Sequence, residues 1–231
     1  MKVFARDWYS EHAVIDVQRD FFCADKWLDF NLQAMQRDGL DHRGKFRDSL
    51  LAFYKVSDGI KAGAGLLGLD AAQYTLLKHA PELHQASVLK NFEMVGFSEI
   101  PAQGTLTLNV MKYLRARLIK PYYFAKSLET LMPRAEALAY YRGLVDQHTR
   151  ANGTGTKLDE VSGYLFEKAA PKGPLAAAFN FAECEPGPGR VAAKIKKCKW
   201  CEVLKEINDP EYAYSIACHY DFEATKVENP A

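Results

Sequence analysis

The spacing of apolar residues divides the chain into a helical first part and a second part with a different period. From Ser10 onward, apolar residues recur three and four positions apart, which predicts a long amphipathic helix with Ser10 as its cap. The stretch that contains Pro121 predicts two helices or one helix kinked at that residue. The predicted helices of the first part span residues 10–37, 42–59, 70–80, 105–131 and 133–152.

The pattern changes after the Gly- and Thr-rich residues 152–156, which predict a linker. Residues 175–184 and 190–197 have the apolar pattern of strands, and the Pro- and Gly-rich residues 185–189 between them predict a turn. We therefore expect an α+β fold with an N-terminal helical layer, then a small antiparallel sheet and C-terminal helices. All of residues 1–231 are predicted to form one domain, with a helical part over about 1–152 and an α+β part over about 157–231.

Two further helices are predicted near the C-terminus. Trp200, Val203, Leu204 and Ile207 form a stripe at helical spacing. An Asn-Asp-Pro sequence then ends that helix and begins another, with Asp209 as N-cap and Pro210 in the first turn. The second helix reaches at least Cys218. Beyond that residue the sequence is compatible with a helix or a strand.

Composition and charge exclude several classes of protein. The 231 residues are 48% hydrophobic, as in a globular protein, and the net charge of +1 favours neither nucleic acid nor an anionic membrane as a partner. No apolar run is long enough to span a bilayer. Five cysteines, an odd number, argue against a disulfide framework. These features predict a cytoplasmic protein with reduced thiols.

Reactive side chains are concentrated between Cys198 and Asp221. Cys198, Cys201, Cys218 and His219 are the ligand types of a zinc site, but Cys218 and His219 are adjacent, which disfavours joint coordination. We therefore predict no stoichiometric zinc or iron in the protein and no cofactor. Cys198 begins a helix beside several lysines, so a lowered thiol pKa is expected there.

The sequence Cys218-His219-Tyr220-Asp221 is the best candidate for catalysis. In a helix, the carboxylate of Asp221 would lie one turn from the thiol of Cys218. In a strand, His219 and Asp221 would instead share a face and form a base with its orienting carboxylate. The alternative is a core cysteine beside a solvated edge.

The spacing Cys201-x16-Cys218-x2-Asp221, followed by Asn229-Pro230, resembles the C-terminal signature of the L-2-amino-thiazoline-4-carboxylic acid hydrolase family. The family signature continues past the Asn-Pro pair, and the chain stops at Ala231 without that part.

The resemblance implies hydrolytic opening of a 2-aminothiazoline ring that carries a carboxylate, at a C–N or C–S bond. Cys218 or an activated water would attack, and Asp221 or His219 would move protons. Cys198 and Cys201 would contact the substrate, and a basic residue that the sequence does not identify would hold the carboxylate.

The predicted partner is thus a small-molecule substrate, and homo-oligomerisation is left open. The rival hypothesis is a non-catalytic small-molecule-binding or sensor domain of the vinyl-reductase type.

Overall fold

The computed structural model describes residues 6–7, 10–22, 26–60, 74–99, 101, 103–152, 179–187, 190–220 and 223. At residues 6–7, 179–187 and 190–197 it describes the backbone. The predicted helix start at Asp70, the predicted linker beyond residue 152 and the candidate residue Asp221 lie outside the described residues.

The described elements form an α+β fold, as predicted. The strands are β1 (Arg6–Asp7), β2 (His12–Asp16), β3 (Thr105–Asn109), β4 (Phe179–Gly187) and β5 (Arg190–Cys198). The helices are α1 (Lys26–Arg37), α2 (Lys45–Tyr54), α3 (Thr75–His79), α4 (Pro81–Val95), α5 (Val110–Leu128), α6 (Arg134–Asn152), α7 (Lys199–Glu206) and α8 (Pro210–Ala213). Single π-helical turns occupy Gln18–Phe22 and Tyr214–Cys218.

The prediction of a single helix over residues 10–37 is wrong for the first half of this range. Strand β2 occupies His12–Asp16 and pairs antiparallel with β3, with Ala13 opposite Leu108. Ala13 and Ile15 are buried whereas Val14 between them is 60% exposed, which is the period-two alternation of a strand. The same pairing makes Thr105–Asn109 a strand, where a helix was predicted. One helix, α5, then continues from Val110 through Pro121 to Leu128.

The predicted hairpin after residue 175 is present, with shifted bounds. Strands β4 and β5 pair antiparallel from Phe179 opposite Cys198 to Gly187 opposite Arg190, and β1 adds to the outer edge of β4. Residues 185–187, predicted as part of the turn, belong to β4. The ladder therefore continues as far as the pair Gly187 and Arg190.

The C-terminal helices are docked on the helical layer. Val203, Leu204, Tyr212 and Ile216 are buried in the larger hydrophobic cluster, which also takes in side chains of α5 and α6. Burying each of these large side chains stabilises the fold by about 1.5–3 kcal/mol. This docking turns the end of the C-terminal helical segment toward α6.

The capping predicted at Asp209 is confirmed. Its carboxylate accepts a hydrogen bond from the backbone N–H of Tyr212, and Pro210 occupies the first turn of α8. His219, Tyr220 and Glu223 are helical, so at these residues the chain adopts the helical alternative. No helix in the described part of the chain is long and apolar enough to cross a membrane.

Candidate active site

Cys201 and Cys218 line the same pocket, which has a volume of about 450 Å³. Helix α7 contributes residues one turn apart, and residues between 208 and 218 contribute the rest of the lining. Most of the lining is apolar, with polar groups at a few positions. The lining residues are Cys201, Leu204, Lys205, Asn208, Asp209, Pro210, Ala213, Tyr214 and Cys218.

The Cys218 side chain lies at the end of the π-helical turn Tyr214–Cys218. Such turns insert an extra residue into a helix and are frequent at functional sites, because they change the direction of the following side chains. Cys218 is half-buried, and neither it nor Cys198 or Cys201 is in a disulfide. The predicted nucleophile thus has a thiol at the wall of a pocket.

His219 is held by a carboxylate that the sequence analysis did not identify. Its Nε2 atom lies 2.8 Å from Oδ1 of Asp146 on α6, and the two side chains are 16% and 31% exposed. A second contact fixes the same two segments, because Arg142 Nε donates to Ser215 Oγ at 2.9 Å. Asp146 lies 73 residues before its partner in the sequence, and no local motif marks it.

Glu223 joins this pair. One ligand atom from each of Asp146, His219 and Glu223 lies within 4.8 Å of the other two, and all three residues are half-buried. An imidazole and two carboxylates are ligand types that divalent cations accept in proteins. None of the three described cysteines belongs to this group.

The expected low pKa of the Cys198 thiol is wrong. The residue takes the N-cap position of α7, but burial, with the neighbouring Cys201 thiol adding to it, raises the pKa of Cys198 to about 11. Loss of hydration of the thiolate therefore outweighs the backbone hydrogen bonds from Cys201 and Trp200, which lower the pKa. Cys198 is also absent from the pocket lining, whereas the exposed Cys201 contributes to it.

A second pocket, of about 680 Å³, lies between α1, the residues after it and α3. Among its lining residues, Asp29 is only 6% exposed and accepts a hydrogen bond from Gln33 Nε2 at 2.7 Å. Burial raises the pKa of Asp29, and the positive field of His79 opposes that rise. The spacing of the two histidines of this pocket, His42 and His79, predicts no functional role. Its lining residues are Asp29, Leu32, Gln33, Gln36, Arg37, His42, Arg43, His79 and Ala80.

A buried polar pair connects α4 and α5. Lys120 Nζ donates to Ser87 Oγ at 3.0 Å, and both residues are buried. His84 and Asn91 are buried on the same helix as Ser87. All four residues are buried polar groups of the helical layer.

Comparison of the chain with protein-family models, curated proteins and solved structures found no match in any of the three. The resemblance to the thiazoline-carboxylate hydrolase family is therefore neither supported nor contradicted, and it stays a prediction. The role of Asp221 has the same standing, since that residue lies outside the described part of the chain.

Proposed function

We propose that this protein is a small-molecule hydrolase that opens a carboxylated heterocycle related to cysteine, of the 2-aminothiazoline-4-carboxylate type. The observation that carries the proposal is the Cys218 thiol at the wall of a pocket of about 450 Å³. That volume suits a small molecule, and the apolar lining suits the ring of such a substrate. The neighbouring residue, His219, is paired with Asp146.

Lys205 is the candidate cation for the substrate carboxylate. It lines the pocket together with Cys201 and Cys218, and its ammonium group matches the charge of a carboxylate. Asp209, the acidic residue of the lining, is already engaged in two hydrogen bonds with Arg134, at 2.7 and 2.9 Å. The charge of Asp209 is therefore compensated from outside the pocket, which favours an anionic ligand beside Lys205.

The chemistry requires addition of water to the ring carbon that carries the amino group. Cys218, or a water activated in the pocket, would form a bond to this carbon, and the C–N or C–S ring bond would then break. The departing nitrogen or sulfur takes up a proton and leaves as an amine or a thiol. Where Cys218 attacks, a water subsequently releases the product from the sulfur.

His219 and Asp221 are the candidates for moving these protons. Successive residues of a helix project about 100° apart. Cys218 lines the pocket while His219 contacts α6. We therefore propose that His219 transfers a proton at the edge of the pocket. Asp146 orients the imidazole through its contact with Nε2.

The test is turnover of L-2-aminothiazoline-4-carboxylate by the purified full chain, followed by the appearance of the ring-opened product. We expect Cys218→Ala to lower turnover by at least about 100-fold, as loss of a nucleophile does. Cys198→Ser is the matched control, since that thiol does not line the pocket and its loss should keep most of the activity. Melting temperatures of both variants separate a loss of chemistry from a loss of fold.

A ligand-binding domain without catalysis is the second candidate, and the mainly apolar lining of the pocket favours it. Tight binding of the heterocycle without any turnover would replace the hydrolase proposal with this one. Turnover that survives in Cys218→Ala at the wild-type rate would contradict the role of this thiol.

A further inference from the structure

We propose that Asp146, His219 and Glu223 form a binding site for one divalent transition-metal cation of the zinc type. One ligand atom from each residue lies within 4.8 Å of the other two. Zinc bonds of about 2.0–2.2 Å place tetrahedral ligand atoms about 3.3–3.6 Å apart. Small side-chain rotations therefore bring all three atoms onto a single ion.

The backbone arrangement supports this assignment. His219 and Glu223 are each helical and lie four residues apart, the spacing at which side chains of a helix are neighbours. Asp146 approaches from α6 on the other side, with its Oδ1 atom 2.8 Å from His219 Nε2. Two ligands four residues apart and one from α6 define a three-sided cage.

The surroundings hold that cage in place. Arg142 of α6 donates to Ser215 Oγ, and Ser215 in turn donates to the backbone carbonyl of Glu211. Ile216 and Ala217, directly before the ligand segment, are buried in the core. Because these contacts fix α6 against the ligand helix, little conformational entropy is lost when an ion binds.

The charges also favour a divalent cation. Two carboxylates and a neutral imidazole carry a combined charge of −2, which a divalent cation neutralises. An imidazole nitrogen with two carboxylate oxygens suits zinc better than magnesium or calcium, which prefer oxygen ligands alone. Three protein ligands leave at least one coordination position for water.

The site is distinct from the Cys198-x2-Cys201 pair. That pair supplies two thiols, and neither belongs to the cluster. Its zinc affinity depends on forming thiolates, which the half-buried environment of Cys198 opposes. A metal bound at the proposed site is therefore coordinated by nitrogen and oxygen and not by sulfur.

One consequence rests on the proposed function. The Nε2 lone pair of His219 cannot bind a cation and accept a proton at the same time, so metal binding is expected to inhibit the hydrolase. Metal binding itself does not depend on that function and is measured without any substrate.

The experiment is calorimetric titration of the full chain, freed of metal with EDTA, with zinc chloride near neutral pH. We expect one zinc per chain. Asp146→Asn and Glu223→Gln should each weaken binding by at least about tenfold, since loss of groups outside the first coordination sphere already costs about 10–100-fold. The control Glu136→Gln removes an exposed carboxylate near the start of α6 and should leave the affinity unchanged.

A second measurement identifies the ligand atoms. Cobalt(II) in place of zinc should show ligand-field absorption without a thiolate-to-cobalt charge-transfer band, and the double variant Cys198→Ser/Cys201→Ser should bind as the wild type does. Absence of binding to the wild type overturns the proposal. Equal binding by Asp146→Asn and Glu223→Gln, loss of binding in the double cysteine variant, or a strong thiolate band would each do the same. Circular dichroism of the metal-free variants verifies that they are folded.

Discussion

The two described pockets differ in how they are built and in what they can bind. The pocket with Cys201 and Cys218 has a mainly apolar lining drawn from neighbouring segments of the C-terminal region. The pocket with Asp29 has a polar lining drawn from α1, the residues after it and α3, which are far apart in the sequence. An apolar wall with a few reactive groups suits a small ring, whereas arginines and histidines around a buried carboxylate suit an ionic ligand. Their carboxylates differ as well, since Arg134 lowers the pKa of Asp209 and burial raises that of Asp29.

The largest expected effect concerns the leucine that each pocket shares with the hydrophobic core. Leu204 and Leu32 are each 5% exposed, and each lines one of the two pockets. Leu204→Ala and Leu32→Ala should each lower the free energy of unfolding by about 2–5 kcal/mol, because each leaves a cavity in the core. Denaturant unfolding measures both. A cost well under 1 kcal/mol for one of them would mean that its pocket wall is not part of the core.

The next effect distinguishes the thiols near the first pocket. A pKa of about 11 for Cys198, against an ordinary 9.0, leaves about 100-fold less thiolate at neutral pH. The greater intrinsic reactivity of a more basic thiolate offsets part of this difference. We therefore expect iodoacetamide to alkylate the exposed Cys201 at least about tenfold faster than Cys198 in the folded protein. Mass spectrometry of peptides over time measures both rates, and equal rates in the folded state would contradict the burial argument.

A smaller effect is expected at Asp209, which caps α8 and forms two hydrogen bonds with Arg134. Asp209→Ala should lower the free energy of unfolding by about 1–2 kcal/mol, mainly through loss of the cap. Glu211→Gln is the control, because Glu211 contacts the same arginine but is 61% exposed, so its pair contributes little.

The stabilisation by Asp209 depends on pH. Because its hydrogen bond with Arg134 holds its folded pKa below the ordinary 3.8, the contribution is fully present above pH 3.8 and is lost as the pH falls through the folded value. The difference in the free energy of unfolding between the wild type and Asp209→Ala should therefore shrink in acid. The part that remains is the hydrogen bonding that the protonated carboxyl group still makes. An unchanged difference at low pH would contradict the role of the ion pair.

The smallest effect has the opposite sign and tests the second pocket. Burial raises the folded pKa of Asp29, so its ionised form destabilises the fold as the pH rises through that value. Asp29→Asn keeps an oxygen that accepts from Gln33 and removes the charge. We expect it to raise the melting temperature slightly at neutral pH and to have no effect below pH 3.8. A lower melting temperature at neutral pH would show that the carboxylate is stabilised by its surroundings.

Local patterns in the sequence were sufficient for much of the C-terminal region. The stripe that includes Val203 and Leu204 and the cap at Asp209 depend on side chains a few residues apart, so they are visible without the rest of the chain. The strand β2 was missed for the converse reason. Its apolar residues are also compatible with the spacing of a helix. Pairing with β3, about 90 residues away, is what makes this segment a strand.

The sequence by itself determined the α+β class of the fold and the concentration of thiols and His219 near the C-terminus. Only the tertiary structure brought Asp146 within 2.8 Å of His219, because docking of the last helices on α6 joins residues 73 positions apart. The pKa of the Cys198 thiol also depends on the tertiary structure. The sequence shows the lysines near Cys198, but it does not show the burial that raises this pKa. Hydration is lost when distant segments pack together, and no local pattern encodes it.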